Sequence, residues 1–295
     1  MKPKIFILYA ILCLVWGTTW AVLKISLAEG TPPIYGAGIR FLIAGIIVFV
    51  LLWIKKEPIP KEKAQWKLIL QFSILNFTFS YALNYWGAQF VYSSVASLIW
   101  AAFPLVMAFF ANFMLPNEKL TSFKWIGILI GTMGAVLIVG RLDELGSGNL
   151  PIGAAALFLA VLSATLPNIR LKQNVGLVSV LQLNSVGLTI AGIILLSISK
   201  FMEPEEIMVW STINIAALVY LIIFGTVFTW LVYIWLFEHL SMNQIAYIAF
   251  FPPMIATVLG WVFLGEHLTF FALIGGAFIV IGAVMVNLNG KKSVQ

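Results

Sequence analysis

Charge is scarce in this chain. Of its 295 residues only 9% are Asp, Glu, Lys or Arg, against about 25% in soluble domains, which excludes a water-soluble globular protein, a disordered segment and a nucleic-acid-binding module. Acids are scarcer than bases, 11 against 17. Cysteine is reduced to Cys13, so no intrachain disulfide and no cysteine metal site can form. The two histidines, His239 and His267, fall in separate loops, so no shared metal site and no cofactor are expected. What remains is apolar: 62% of residues, with a mean hydropathy of +1.04. The first apolar run, Ile5 to about Leu27, is too long for a cleavable signal and lacks a small-residue cleavage site, so it stays as a span.

A hydrocarbon core about 30 Å thick needs roughly 20 residues of helix, and no backbone group can be left unpaired in lipid. Ten segments fit, near residues 5–27, 34–54, 66–87, 91–115, 122–140, 150–170, 177–198, 213–237, 241–264 and 269–288. They consume most of the chain, predicting an all-α integral membrane protein that works inside or across the bilayer. Lysine and arginine orient it, because cytoplasmic loops retain them. With the N-terminus inside, 13 of 17 are cytoplasmic, and only Lys24, Arg40, Arg141 and Lys200 lie toward the other side. Both termini are therefore expected in the cytoplasm of a multi-pass protein of the cytoplasmic membrane. The net charge of +6 reads as topology.

The chain also repeats itself. Pro104 recurs as Pro252, Glu118 as Glu266, Leu120 as Leu268, Thr121 as Thr269, Gly127 as Gly275 and Gly134 as Gly282, each 148 residues on. Thr78 and Thr226, and Tyr85 and Tyr233, keep that offset, and Ile43-Ala44-Gly45-Ile46-Ile47 returns as Ile190-Ala191-Gly192-Ile193-Ile194. Two five-helix units, 1–141 and 142–295, are expected. An odd number of spans mounts the second unit upside down, the architecture of alternating-access carriers, with one central cavity exposed to either side in turn.

These residues carry a resemblance. WGTTWAVLK in span 1, IRFLIAG in span 2, ALNY and SSVASLIWAAFP in spans 3 and 4, and the two E-x-L-T stretches followed by glycine-spaced helices resemble the EamA family of the drug/metabolite transporter superfamily, over nearly the whole chain. The resemblance implies a carrier of small metabolites, often an exporter of amino acids or toxic compounds. It also implies a cavity lined mainly by spans 1, 3, 4, 6, 8 and 9.

Polar residues inside spans mark faces turned to protein or water. Ser73, Asn76, Ser80 and Asn84 recur at helical steps in span 3, with Tyr81 and Tyr85 beside them. They line a cavity or bond neighbouring helices. Span 4 carries Ser94, Ser97, Trp100 and Pro104, and span 9 carries Asn243, Tyr247, Pro252 and Pro253. Each proline frees a carbonyl and kinks its helix, making Pro104 and Pro252 hinge candidates. Trp16, Thr19 and Trp20 of span 1, Ser163 of span 6, and Thr226, Trp230 and Tyr233 of span 8 complete the candidate substrate cavity. Aromatic walls suit amphipathic or aromatic solutes.

Arg40 and Lys24 are candidates for holding a substrate carboxylate or phosphate, or for snorkelling to the outer surface. No acid falls inside a span, which argues against a carboxylate-coupled proton or sodium carrier. Glu118 and Glu266 read as caps of the helices that follow them. Glycines of spans 5 and 10 read as packing within the chain or a homodimer face. Two other functions compete with a carrier: a membrane enzyme on a lipid-soluble substrate, for which neither paired acids nor a nucleophile with its base is present, and a non-transporting receptor with a solid middle.

Overall fold

The computed structural model describes residues 3–114, 120–139, 149–205, 207–240, 248, 251–267 and 269–288, and every regular element among them is helical. Glu118, Arg141, Asn243 and Tyr247 lie outside the described residues. Six helices are long and apolar enough to cross a membrane. These are α1 (Pro3–Ala28), α2 (Pro33–Ile54), α5 with α6 (Ser93–Trp100 and Phe103–Met114), α8 (Leu150–Gln173), α9 (Val180–Met202), and α10 with α11 (Thr212–Ile222 and Thr229–His239). Shorter apolar helices are α7 (Ser122–Val139), α12 (Phe251–Leu264) and α13 (Phe270–Leu288). Residues 63–88 form one more helical rod, α3 (Lys63–Phe72) and α4 (Ser80–Ala88) joined by a π-helical turn.

The ends are set locally. Gly30 takes φ +88° after α1, a left-handed exit that glycine adopts freely, and Thr31-Pro32 then delivers Pro33 to the first turn of α2, where its missing N–H costs nothing. Ser179 caps α9: its Oγ accepts from Gln182 N at 3.1 Å while Gln182 Oε1 accepts from Ser179 N at 3.0 Å. Burial runs opposite to that of a soluble protein. Trp53, Phe201 and Ile207 are each about four-fifths exposed, whereas Asn184, Asn214 and Thr226 have no exposure. That polarity suits a hydrocarbon surround, where polar groups must find partners inside.

The repeat seen in the sequence has reciprocal contacts in space. Gly45 of α2 faces the backbone of Thr189 on α9, and its sequence mate Gly192 faces the backbone of Leu42 on α2, so each glycine admits the other helix. Likewise Gly127 of α7 meets the carbonyl of Gly282 on α13, and Gly134 meets that of Gly275. A dimer through these two helices would have to use their other faces. Acids behave the same way. Glu203, after α9, accepts from Ile34 N and Tyr35 N at the start of α2, at 2.7 and 2.8 Å, while Glu57, after α2, accepts from the Ser179 hydroxyl at the start of α9. Both place negative charge at a helix N-terminus.

π-helical turns recur too, at Ser73–Phe79 and Ile223–Phe228, their starts 150 residues apart (223 − 73). Gly45→Val should overpack the α2–α9 seam, because the new side chain runs into the Thr189 backbone as well as its hydroxyl, and the backbone cannot swing aside. We expect a loss of about 1–3 kcal/mol, read as a lower unfolding midpoint in detergent, with an exposed lipid-facing change such as Ile46→Val nearly silent.

Candidate functional site: a central aromatic cavity

A cavity of about 190 Å³ lies at the centre of the bundle. Trp16, Thr19 and Trp20 line it from α1, Arg40 from α2, and Asn76, Tyr81, Asn84 and Tyr85 from the α3–α4 rod. Ser97, Trp100, Phe103 and Pro104 line it from α5–α6, Asn168 from α8, and Trp230 and Tyr233 from α11; Pro252 and Pro253 of α12 close the ring. Toward one end it reaches Met107, Ala111, Lys124 and Val286.

Aromatic packing sets the wall. Trp230 is the hub, with ring centroids 4.8 Å from Phe77, 5.4 Å from Tyr233, 5.9 Å from Phe72 and 6.1 Å from Trp16, mostly edge to face. Its indole N–H donates to Tyr81 Oη at 3.2 Å. A polar relay crosses this wall. Tyr233 Oη donates to Asn168 Oδ1 (3.2 Å), and Asn168 Nδ2 donates to the Ala164 carbonyl (2.8 Å) and to Asn76 Oδ1 (3.0 Å). Asn76 Nδ2, buried, has no hydrogen-bond partner.

Arg40 is 4% exposed. Its Nε donates to Thr226 Oγ1 (2.6 Å), Nη1 to Tyr85 Oη (3.1 Å) and Nη2 to the Gly225 carbonyl (2.8 Å), and its guanidinium carbon lies 5.5 Å from the Tyr81 ring centre. The bonds to Gly225 and Thr226 end on the second π-helical turn, where a carbonyl is turned off the helical ladder.

Charged side chains tie helix ends together beside the cavity. Lys24 Nζ donates to the carbonyls of Ala88, Gln89 and Val91 at 2.8–3.0 Å, clasping the turn between α4 and α5. From the loop after α12, Glu266 accepts from Ser93 N (2.7 Å), Ser94 N (3.1 Å) and Ser94 Oγ (2.7 Å). Lys172, 148 residues after Lys24, makes the corresponding contacts at the C-terminal end of α11: Nζ donates to the Phe237 carbonyl at 3.2 Å and to that of Leu240 at 3.5 Å.

Five expectations need correction. Ser80 and Thr226 are fully buried and Ser163 is spent on the Leu75 and Ala160 carbonyls, so none of the three lines the cavity. In span 3 the cause is the π-helical turn, which widens the step and rotates the face that a 3.6-residue period predicts; Ser73 accordingly donates to Gly187 of α9. Lys24 grips backbone carbonyls outside the cavity lining instead of facing a solute. Glu266 caps α5, a helix of the other sequence repeat, and not the helix that follows it. Asn168, Phe103 and Lys124 were not foreseen. Asn168 could have been, since an asparagine after Pro167 in an apolar span obeys the rule that flagged Asn76.

Known proteins decide the family. The EamA-like transporter family matches residues 4–140 and again 151–288. The chain belongs to the EamA-like transporter family. An uncharacterized transporter in the trpA 3′ region of Buchnera aphidicola subsp. Schlechtendalia chinensis is 31% identical, covering 88% of this chain and 84% of its own. The uncharacterized transporter YoaV of Bacillus subtilis is 25% identical over 92% of each chain. The uncharacterized inner membrane transporter YedA of Escherichia coli is 27% identical over 94% of this chain and 89% of its own. A solved crystal structure shares the fold, with a TM-score of 0.69 over 98% of each chain at 18% identity. This EamA chain is thus a multi-pass membrane transporter and not an enzyme, and its aromatic cavity is the candidate place for a small-molecule substrate.

Proposed function

We propose that this EamA transporter carries small organic metabolites, amino acids and related compounds among them, out of the cell across the cytoplasmic membrane by alternating access. Ten spans form two inverted five-helix repeats, 1–141 and 142–295, with both termini in the cytoplasm. The cavity residues above contact the solute, and the two repeats rock about Pro104 and Pro252. The observation that carries this reading is the set of reciprocal contacts around a central cavity. Each repeat offers matching glycines and acids to the other, and each holds a matching lysine, Lys24 or Lys172, on carbonyls of its own, which is what two homologous units related by a two-fold axis in the membrane plane require.

Such units exchange conformations at little net cost, because each state of one has its counterpart in the other. Lys24 with Glu266 closes the outer end on this orientation, and Lys172 serves the inner end as its counterpart. Local structure also suits a hinge: α5 stops at Trp100 and α6 restarts at Phe103, immediately before Pro104, so the span is already broken beside the cavity. The test is flux. Purified transporter in liposomes should exchange labelled solutes from an amino-acid and metabolite panel, and cells carrying it should expel them faster than cells without it. Liposomes that move no member of the panel would refute the reading.

A further inference from the structure

Resting on that carrier reading, the charge balance of the cavity narrows its cargo. Two cations, Arg40 and Lys124, belong to the described lining, and no Asp or Glu does. Arg40 is almost wholly buried, and its three bonds end on neutral oxygens. A buried cation without a counter-anion is costly, and proteins ordinarily pair it. Three of the five guanidinium N–H groups are accounted for, so two remain, one on each terminal nitrogen. That pair matches the two oxygens of a carboxylate.

The neutral groups lean the same way. Asn168 Nδ2 must be a donor because it meets the Ala164 carbonyl, so Asn76 is held with Oδ1 toward it. Asn76 Nδ2 is thereby fixed as a buried donor without an acceptor. The cavity offers the spare Arg40 donors and positive charge beside aromatic walls, with the Asn76 donor buried behind them. In size, an apolar cavity of about 150 Å³ admits benzene, so about 190 Å³ suits one ring with a short polar arm.

We infer that the preferred substrate is a small aromatic organic anion whose carboxylate meets Arg40 and whose ring lies against Trp16, Trp230 and Tyr233, and that a charge-balancing ammonium group weakens it. The test uses three probes of one shape: 3-phenylpropionate, phenylalanine and phenethylamine. Binding to the purified full chain is read by thermal shift and by quenching of tryptophan fluorescence, and transport by counterflow in liposomes. The anion should bind most tightly and the amine least. Arg40→Gln should weaken the anion roughly 10- to 100-fold, as expected when a charged hydrogen-bond partner is lost, while Arg40→Lys recovers part of it.

Lys124→Gln, away from the Arg40 bonds, should cost the anion less and, by removing positive charge from the lining, strengthen the amine slightly; it also keeps a readout should the Arg40 variants misfold. Equal or tighter binding of phenylalanine or phenethylamine, an unchanged anion affinity in a folded Arg40→Gln, or no binding of any probe at millimolar concentration would overturn the inference. Anion binding without counterflow would instead uphold the site and refute the carrier reading.

Discussion

Glu266→Ala should lower stability by about 3 kcal/mol or more and loosen the cavity's Lys24 end. The carboxylate, 4% exposed, satisfies two backbone N–H groups and one hydroxyl at the start of α5. Removing it strips all three of their charged partner at a buried helix start, and a buried donor so stripped costs about 1.5–3 kcal/mol. It also frees the loop after α12 from α5, a contact across the two sequence repeats. Glu266→Gln keeps the shape and one acceptor but loses the charge opposite a helix N-terminus, so it should fall between. Unfolding midpoints in detergent give the order wild type, Gln, Ala. Equal midpoints would mean that the carboxylate is dispensable.

Trp230→Ala should be the most damaging change in the cavity wall. Its indole touches the rings of Trp16, Phe72, Phe77, Tyr81 and Tyr233 and donates to Tyr81 Oη. Truncating a buried tryptophan costs about 3–5 kcal/mol, and the edge-to-face contacts add to that because four of the neighbours would lose a partner at once. Trp230→Phe retains a ring and gives up the hydrogen bond, for about 1 kcal/mol. Solute affinity should fall in both, more in Ala. If Trp230→Ala left flux and midpoint unchanged, the aromatic wall would play no part in holding either the fold or the cargo.

Much of this was legible in the sequence because lipid imposes a simple rule. Apolar runs near 20 residues became helices, and glycines that share the offset of 148 residues, Gly127 with Gly275 and Gly134 with Gly282, meet in space, each against the other pair's member. Trp16, Thr19, Trp20, Asn76, Tyr81, Asn84, Trp100, Trp230, Tyr233, Pro104 and Pro252 line the cavity, as does Arg40. Ser80 could not be read correctly, since no residue pattern announced the π-helical turn that rotates it away. Glu266 was misread for a different reason. Capping rules are local, and the N-terminus it serves lies 173 residues away in the chain. Lys24 likewise found backbone carbonyls that only the folded turn brings together.

Alternating access itself is tested most directly by single-cysteine labelling in a Cys13→Ser background. Leu23→Cys reports one end of the cavity and Ala111→Cys the other, with a membrane-impermeant thiol reagent added to vesicles of known sidedness. Adding Glu266→Gln should raise labelling of Leu23→Cys from outside while lowering that of Ala111→Cys from inside, because the two mouths exclude each other. Labelling that rises at both positions together, or that responds at one without the other, would contradict a single pocket presented to the two sides in turn.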